Sequence, residues 1–476
     1  MALRHPARRA VWVRSLSAAL LVFSLQPVPA QSVAQPPANQ PPPPPTQPLP
    51  GSPPQAQSPP LLSPQAAFDQ ASLPVDITRR DSQNWSAIEL AALDVAVAQA
   101  KDACLARATE PYTGSDQIAF AHLCAFGKQW LHAQSAATAY IEDKIDARPQ
   151  LTEAYSYLIQ AEFQLGEEDR GLATCLAMLR AVPYDPLADA ITTAAVHYMQ
   201  FAYTTDAITL MAERQPSILA LLRAAQSAQN PAPAIPLHTL FEHALDLPAL
   251  EQYDDEQGAA PINLSDLNAA MPATVSSDEA ILIAADRSQY ALLGTHFPDL
   301  PGAVSLLSAT HTSPAQPKYG SVTIFLLFPP WCMQCVNQAQ KIAPTLARRS
   351  QLEGPAGQAR IYALLADTPQ PPAKPAAHTA PAARKAAKPT ATIILGGAEL
   401  PSAQEALRGT PSFVVAPSTL ADFNASDFPF LIAVDHDGII RLMAPAAPDN
   451  ALQEHGPADQ IAGFILDRWP SPSKAP

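Results

Sequence analysis

Val322-Thr323-Ile324-Phe325-Leu326-Leu327-Phe328, running on into Pro329-Pro330-Trp331-Cys332-Met333-Gln334-Cys335, is the stretch whose reading decides the fold. Seven consecutive apolar or β-branched residues read as a buried strand, and two prolines end it. Beyond the cysteines, Val336, Ala339, Ile342, Ala343 and Leu346 recur at helical spacing, so a helix begins at the Cys pair. Cys332 then sits at a helix N-terminus, where unpaired backbone N–H groups and the helix dipole favour a thiolate. Cys335 is one turn on and shielded, so the pair can close a disulfide. The expected roles are an attacking Cys332 and a resolving Cys335. An inert structural disulfide would use the same two residues. A zinc site would need two further ligands, and the sequence offers no second Cys-x-x-Cys and no nearby His pair.

With 476 residues the chain has room for two or three domains, and its five cysteines leave the fold to ordinary apolar cores. A formal charge of -14 argues against nucleic acid and anionic membrane surfaces as partners. Residues 1–30 read as a signal peptide. Arg4, Arg8, Arg9 and Arg14 form a positive start, Ser15 to Gln26 is uncharged and largely apolar, and Val28-Pro29-Ala30 is a small-residue cleavage site before Gln31. An uncleaved N-terminal anchor is the competing reading. Either one exports the body of the chain to a periplasmic or secreted location, where disulfides persist. After cleavage no membrane span is expected. Residues 31–80 are assigned to a Pro-rich disordered linker, since 16 of the 38 residues from Pro27 to Pro64 are proline and such a segment cannot bury a core.

Residues 81–250 are Ala-rich, Gly-poor and helical in period. Pro149, Pro183 and Pro216 recur at intervals of 34 and 33 residues. From Thr152, the positions of Tyr155, Leu158, Gly166, Gly171, Leu179 and Pro183 resemble the tetratricopeptide consensus, although Ile159 and Cys175 depart from it. This implies an all-α array of helical hairpins. The aromatics Tyr155, Tyr157, Phe163, Tyr198 and Phe201 would either line a groove for a protein partner or fill the core between hairpins. Cys104 lies seven residues before Pro111, and Cys124 a similar distance into the next helix. An antiparallel hairpin would bring them level as a structural disulfide, leaving Cys175 a buried thiol. Residues 251–288 read as a connector in which Ala280 to Ala285 forms a strand or a short helix.

Residues 289–470 carry a second resemblance. Gly294-Thr295-His296-Phe297-Pro298-Asp299-Leu300, the Trp-Cys-x-x-Cys unit and the apolar strand Ile361 to Ala366 together resemble the TlpA-like extracytoplasmic branch of the thioredoxin superfamily. The resemblance implies an α/β thioredoxin-like domain that exchanges disulfides with protein thiols, using an unidentified electron donor or acceptor and no cofactor. It also implies a cis-proline beside the cysteines. Pro429, which opens Phe430 to Val434 ahead of an Asp437-Gly438 turn, has the branch's spacing; Pro411 is the other candidate. Phe428 and Pro429 would dock the substrate backbone, and Trp331 would shield the site. Residues 368–390 form a Pro/Ala-rich insert, a solvated loop or a docking site. Asp459 to Trp469 has the period of a closing helix.

The sequence departs from the family at the acids. Leu326 stands where thioredoxins keep a buried carboxylate, and Gln338 where the branch often has Glu. Those losses leave open a non-catalytic alternative, in which the repeats bind a protein partner and the second domain is a scaffold.

Overall fold

Strand β2 (Val322–Phe328) is the centre of a six-stranded mixed sheet in the computed structural model of the chain. The structure describes 61–79, 87–143, 150–226, 234–254, 264–273, 275–300, 303–305, 322–332, 335–336, 339–340, 344, 359–367, 403, 405, 407, 410–425, 428–445 and 464–465. The expected signal peptide at 1–30, the first part of the expected Pro-rich linker and the expected insert at 368–390 lie outside these residues.

Every residue of β2 is buried, as its unbroken apolar run requires of a strand covered on both faces. β3 (Ala359–Ala366) pairs with it in parallel, Leu326 opposite Ala363, and β5 (Phe430–Val434) runs antiparallel on its other side, Leu326 opposite Leu431. β6 (Ile440–Pro445) completes a hairpin with β5. β4 (Ser412–Val415) lies parallel to β3, and the two-residue β1 (Val304–Ser305) closes that edge, giving the order β1-β4-β3-β2-β5-β6. Phe297, Phe325 and Tyr362 stack across the sheet with centroids 4.3 and 5.6 Å apart, and a fully buried ring such as Phe325 contributes about 1.5–3 kcal/mol. At the β5–β6 turn Asp435 accepts from the Asp437 and Ile439 N–H groups and from Arg441 Nε, while Gly438 supplies the positive φ of 84°.

The rest of the described chain is helical: α1 (Pro64–Thr78), α2 (Ala87–Leu105), α3 (Ser115–Phe126), α4 (Trp130–Glu142), α5 (Leu151–Gln164), α6 (Glu168–Ala181), α7 (Pro186–Met199), α8 (Thr204–Ala225), α9 (Leu237–Asp254), α10 (Ser265–Ala270) and α11 (Ser277–Tyr290). A twelfth helix, α12 (Ser418–Asp422), lies between β4 and β5. From α1 to α9 neighbours in sequence pack on one another, α5 and α6 also touch α7 and α8 respectively, and α10 and α11 pack on α8 and α9. Gly166 turns the α5–α6 hairpin at φ 71°. Gly171 lets α6 approach α5 so closely that a Cβ there would meet the Phe163 ring at 2.9 Å. Side chains 33 residues apart are joined in three places: Gln134 to Glu167, Thr152 to Asp185, and Arg180 to Glu213. The sequence interval thus returns as a spatial one. A buried polar network ties the last hairpins together. Arg214, wholly buried on α8, donates to Asp246 Oδ2 and the His243 carbonyl on α9 and to Thr193 on α7, while Asp189 receives His243 and the Tyr184 hydroxyl.

Three expectations need correction. Residues 64–78, assigned by composition to the linker, are helix α1. Pro64 occupies the first turn, where its missing N–H costs nothing, Ser63 caps it, and Ala67 and Ala71 are buried against α2 and α3. The expected connector at 251–288 is largely helical and belongs to the same layer. His238 on α9 meets Glu279 on α11 at 2.8 Å, and Gln226 donates to the carbonyls of Ala269 and Met271. Of the two readings of Ala280 to Ala285, the helix is the one found, within α11. Pro216, expected near the end of a repeat, lies inside α8.

Helical layer and sheet share a core. One apolar cluster runs from Tyr155, Phe163 and Tyr198 through Ala249 and Leu250 to β2, β3 and β5, and Phe201 meets Phe464 at 5.5 Å. Four of the five aromatics considered for a groove, Tyr155, Phe163, Tyr198 and Phe201, are buried in this cluster.

Candidate active site

β2 delivers the chain to Pro329 and Pro330, and the backbone turns there, the Cys332 N–H donating to the Pro329 carbonyl at 3.0 Å. Cys335 and Val336 are already helical, and the Val336 N–H donates to the Cys332 carbonyl at 3.1 Å. Cys332 therefore occupies the capping position of this helix. Its Sγ accepts the Cys335 N–H at 3.3 Å, as an N-cap side chain does. Cys332 and Cys335 are joined in a disulfide; Cys332 is partly exposed and Cys335 fully buried. A nucleophile entering from solvent meets the Cys332 sulfur first. On reduction, the donated N–H and the helix terminus would both stabilise a charge on that sulfur.

β5 supplies the facing wall. Its register sets Phe430 opposite Leu327, so the residues before Phe430 lie beside the end of β2 that bears the cysteines. The Phe428–Pro429 peptide bond is cis, and it is the one cis bond among the described residues; Pro411, the other candidate, follows a trans bond and opens β4. Pro429 is buried, and Phe428 is partly exposed with its ring edge-on to Trp331, centroids 6.4 Å apart. The structure thus brings Trp331, Cys332, Cys335, Phe428 and Pro429 together. The residues between the cysteines, Met333 and Gln334, and also Gln338, lie outside the described residues.

No carboxylate lies beneath the disulfide on β2, because Leu326 is fully buried hydrocarbon between Ala363 and Leu431. Asp435 is buried on the same sheet but at the far end, beyond Val434, which pairs with Thr323, and its oxygens are taken by the turn and Arg441.

The remaining cysteines lie elsewhere. Cys104 and Cys124 form a disulfide linking α2 to α3. Cys175 is a free thiol on α6 whose pKa is pushed far up by complete burial, which leaves it without thiolate reactivity.

One residue near the site escaped the sequence reading. Asn424, at φ 48°, ends α12 four residues before Phe428. An Asn directly after the apolar Leu420 to Phe423 stretch is a helix-stop signal that could have marked it. No family model, no curated protein and no solved structure matches this chain.

Proposed function

We propose that this chain is an exported thiol–disulfide oxidoreductase acting on proteins, with a thioredoxin-like domain beside an array of tetratricopeptide-like hairpins. The observation that carries the reading is the pairing of a partly exposed Cys332, its sulfur accepting a helix N–H, with a buried Cys335 alongside the cis Pro429. The strand order, with β2 between a parallel β3 and an antiparallel β5–β6 hairpin, supports the thioredoxin-like assignment. Side-chain bonds at intervals of 33 residues support the repeat assignment. Export fits both the basic, apolar N-terminus and the two disulfides.

In the reducing direction, the Cys332 thiolate attacks one sulfur of a substrate disulfide. A mixed disulfide forms and one substrate thiolate leaves. Cys335 then gives up its proton and attacks the Cys332 sulfur. The Cys332–Cys335 disulfide closes, the second substrate thiol departs, and two electrons have passed to the substrate. The oxidising direction is the reverse, with the electrons passing to an acceptor. Phe428 and Pro429 present the edge against which an extended substrate backbone lies, and Trp331 flanks them with its ring edge-on to Phe428.

The adaptor reading draws on one observation, the absence of a carboxylate under the disulfide at Leu326. Reactivity separates the two. After mild reduction of the full chain, mass-mapped iodoacetamide labelling should modify Cys332 first, with an apparent pKa below that of a free thiol. Equal labelling of both cysteines, or preference for Cys335, would sink the oxidoreductase. A Cys335→Ser variant should in addition accumulate mixed disulfides with exported proteins.

A further inference from the structure

The segment carrying Phe428 and Pro429 is tied to the helical layer by the side chain of Asn424. α12 closes with paired backbone bonds, Ala425 N–H to the Leu420 carbonyl at 2.7 Å and Asn424 N–H to the Ala421 carbonyl at 3.0 Å. This ending requires a left-handed residue at position 424, and glycine is the usual occupant because it has no Cβ to oppose that conformation. Asparagine stands there instead. Its Nδ2 crosses to α11 and donates to Asp286 Oδ1 at 2.9 Å and to Gln289 Oε1 at 3.2 Å. Asp286 is 4% exposed, so the bond is sheltered from water. The neighbouring Phe423 is fully buried and stacks on Phe297, which seats the base of the loop in the sheet's core. The chain leaving this doubly held turn reaches Phe428 beside Trp331 and Cys332.

We propose that Asn424 is a positioning residue: through Asp286 and Gln289 the helical layer sets where Phe428 and Pro429 stand, and so how tightly a protein disulfide docks beside Cys332. The inference rests on the exchange reaction proposed above. Asn424 touches neither sulfur, so its removal acts on docking of an extended polypeptide and leaves the chemistry of the Cys pair alone.

The test uses the full chain, dithiothreitol as reductant, insulin as the protein disulfide and oxidised glutathione as the small one. N424G keeps the left-handed turn and deletes the amide. N424D keeps shape but sets a carboxylate against Asp286, and adding D286N restores a donor opposite an acceptor. N424D should raise the KM for insulin about ten-fold with kcat nearly unchanged, N424G should raise it about three-fold, and the N424D/D286N pair should return towards the parent. The reduction potential and the rate with glutathione should stay at parental values throughout. An unchanged KM in N424G and N424D overturns the proposal, as does a loss that appears equally with glutathione, which would mark a general disturbance of the site. A parent chain that does not exchange even with glutathione removes the underlying reaction and this inference with it, a pattern distinct from either.

Discussion

Acidification from pH 7 to pH 5 should cost the fold about 2 kcal/mol at a single imidazole. His122 on α3 lies between the Phe68 ring of α1, 3.9 Å away, and the Tyr157 ring of α5, 5.2 Å away. Burial among these rings pushes its pKa down to about 4, against a weaker upward pull from Asp69. In the unfolded chain it titrates near 6.5. Between those values the unfolded chain holds a proton that the folded chain does not, so stability rises with pH across the window and is lost as pH falls from about 6.5 towards 4. Integrating the linkage gives almost no cost at pH 7, about 2 kcal/mol at pH 5 and about 3 kcal/mol near pH 4. His122→Phe retains an aromatic ring between Phe68 and Tyr157 and abolishes the titration. Urea unfolding followed by circular dichroism, for both chains at pH 7 and pH 5, isolates the contribution from that of the carboxylates. The stability difference between them should move by about 2 kcal/mol in favour of the variant at the lower pH. Parallel pH dependence in the two chains would refute the account of His122 as a buried neutral base.

Other perturbations have equally direct readouts. Replacing Cys104 and Cys124 together by alanine opens a loop with a sequence separation of 20, which should lower unfolding stability by about 3 kcal/mol in the same urea titration. Gly127→Ala would set a Cβ 2.5 Å from the Lys101 nitrogen, a backbone atom of α2 that cannot swing aside; a loss of about 2–3 kcal/mol is expected, visible as a lowered Tm. Arg214→Met leaves Asp246 without its guanidinium partner inside the helical layer and should cost about 3–5 kcal/mol by denaturant unfolding.

The site was easier to read from sequence than the boundaries around it. Strand β2 was legible because a run of seven apolar residues has one economical fate, and the Cys pair because its chemistry depends on spacing. Pro429 stood out through its place before an apolar run and an Asp-Gly turn. The helix at Pro64–Thr78 was hidden by averaging: the prolines before it dominate the composition, whereas Pro64 itself sits where a helix accepts proline. α10 and α11 were obscured because their partners are distant. His238 and Gln226, which they meet, lie some 40 residues back in the chain, and no local pattern announces such contacts. Proline also misled as punctuation. Pro216, read as a repeat end, sits inside α8, as Pro74 and Pro248 sit inside α1 and α9, where packing on neighbours outweighs the lost backbone bond. Asn424 carried a helix-stop signal, but the partner of its amide lies 138 residues away.

The continuity of the apolar interior, from Tyr155 on α5 to Phe430 on β5, bears on how this chain can be handled in pieces. A fragment cut between α11 and the sheet would part Phe201 from Phe464 and open the shared apolar core to water on both sides. Neither half would keep its interior dry, and each raw face is the natural complement of its counterpart in another molecule. Fragments divided there should associate or precipitate, so the isolated cysteine-bearing half is a poor stand-in for the whole. Cooperative unfolding as one unit is the corresponding expectation for the intact chain.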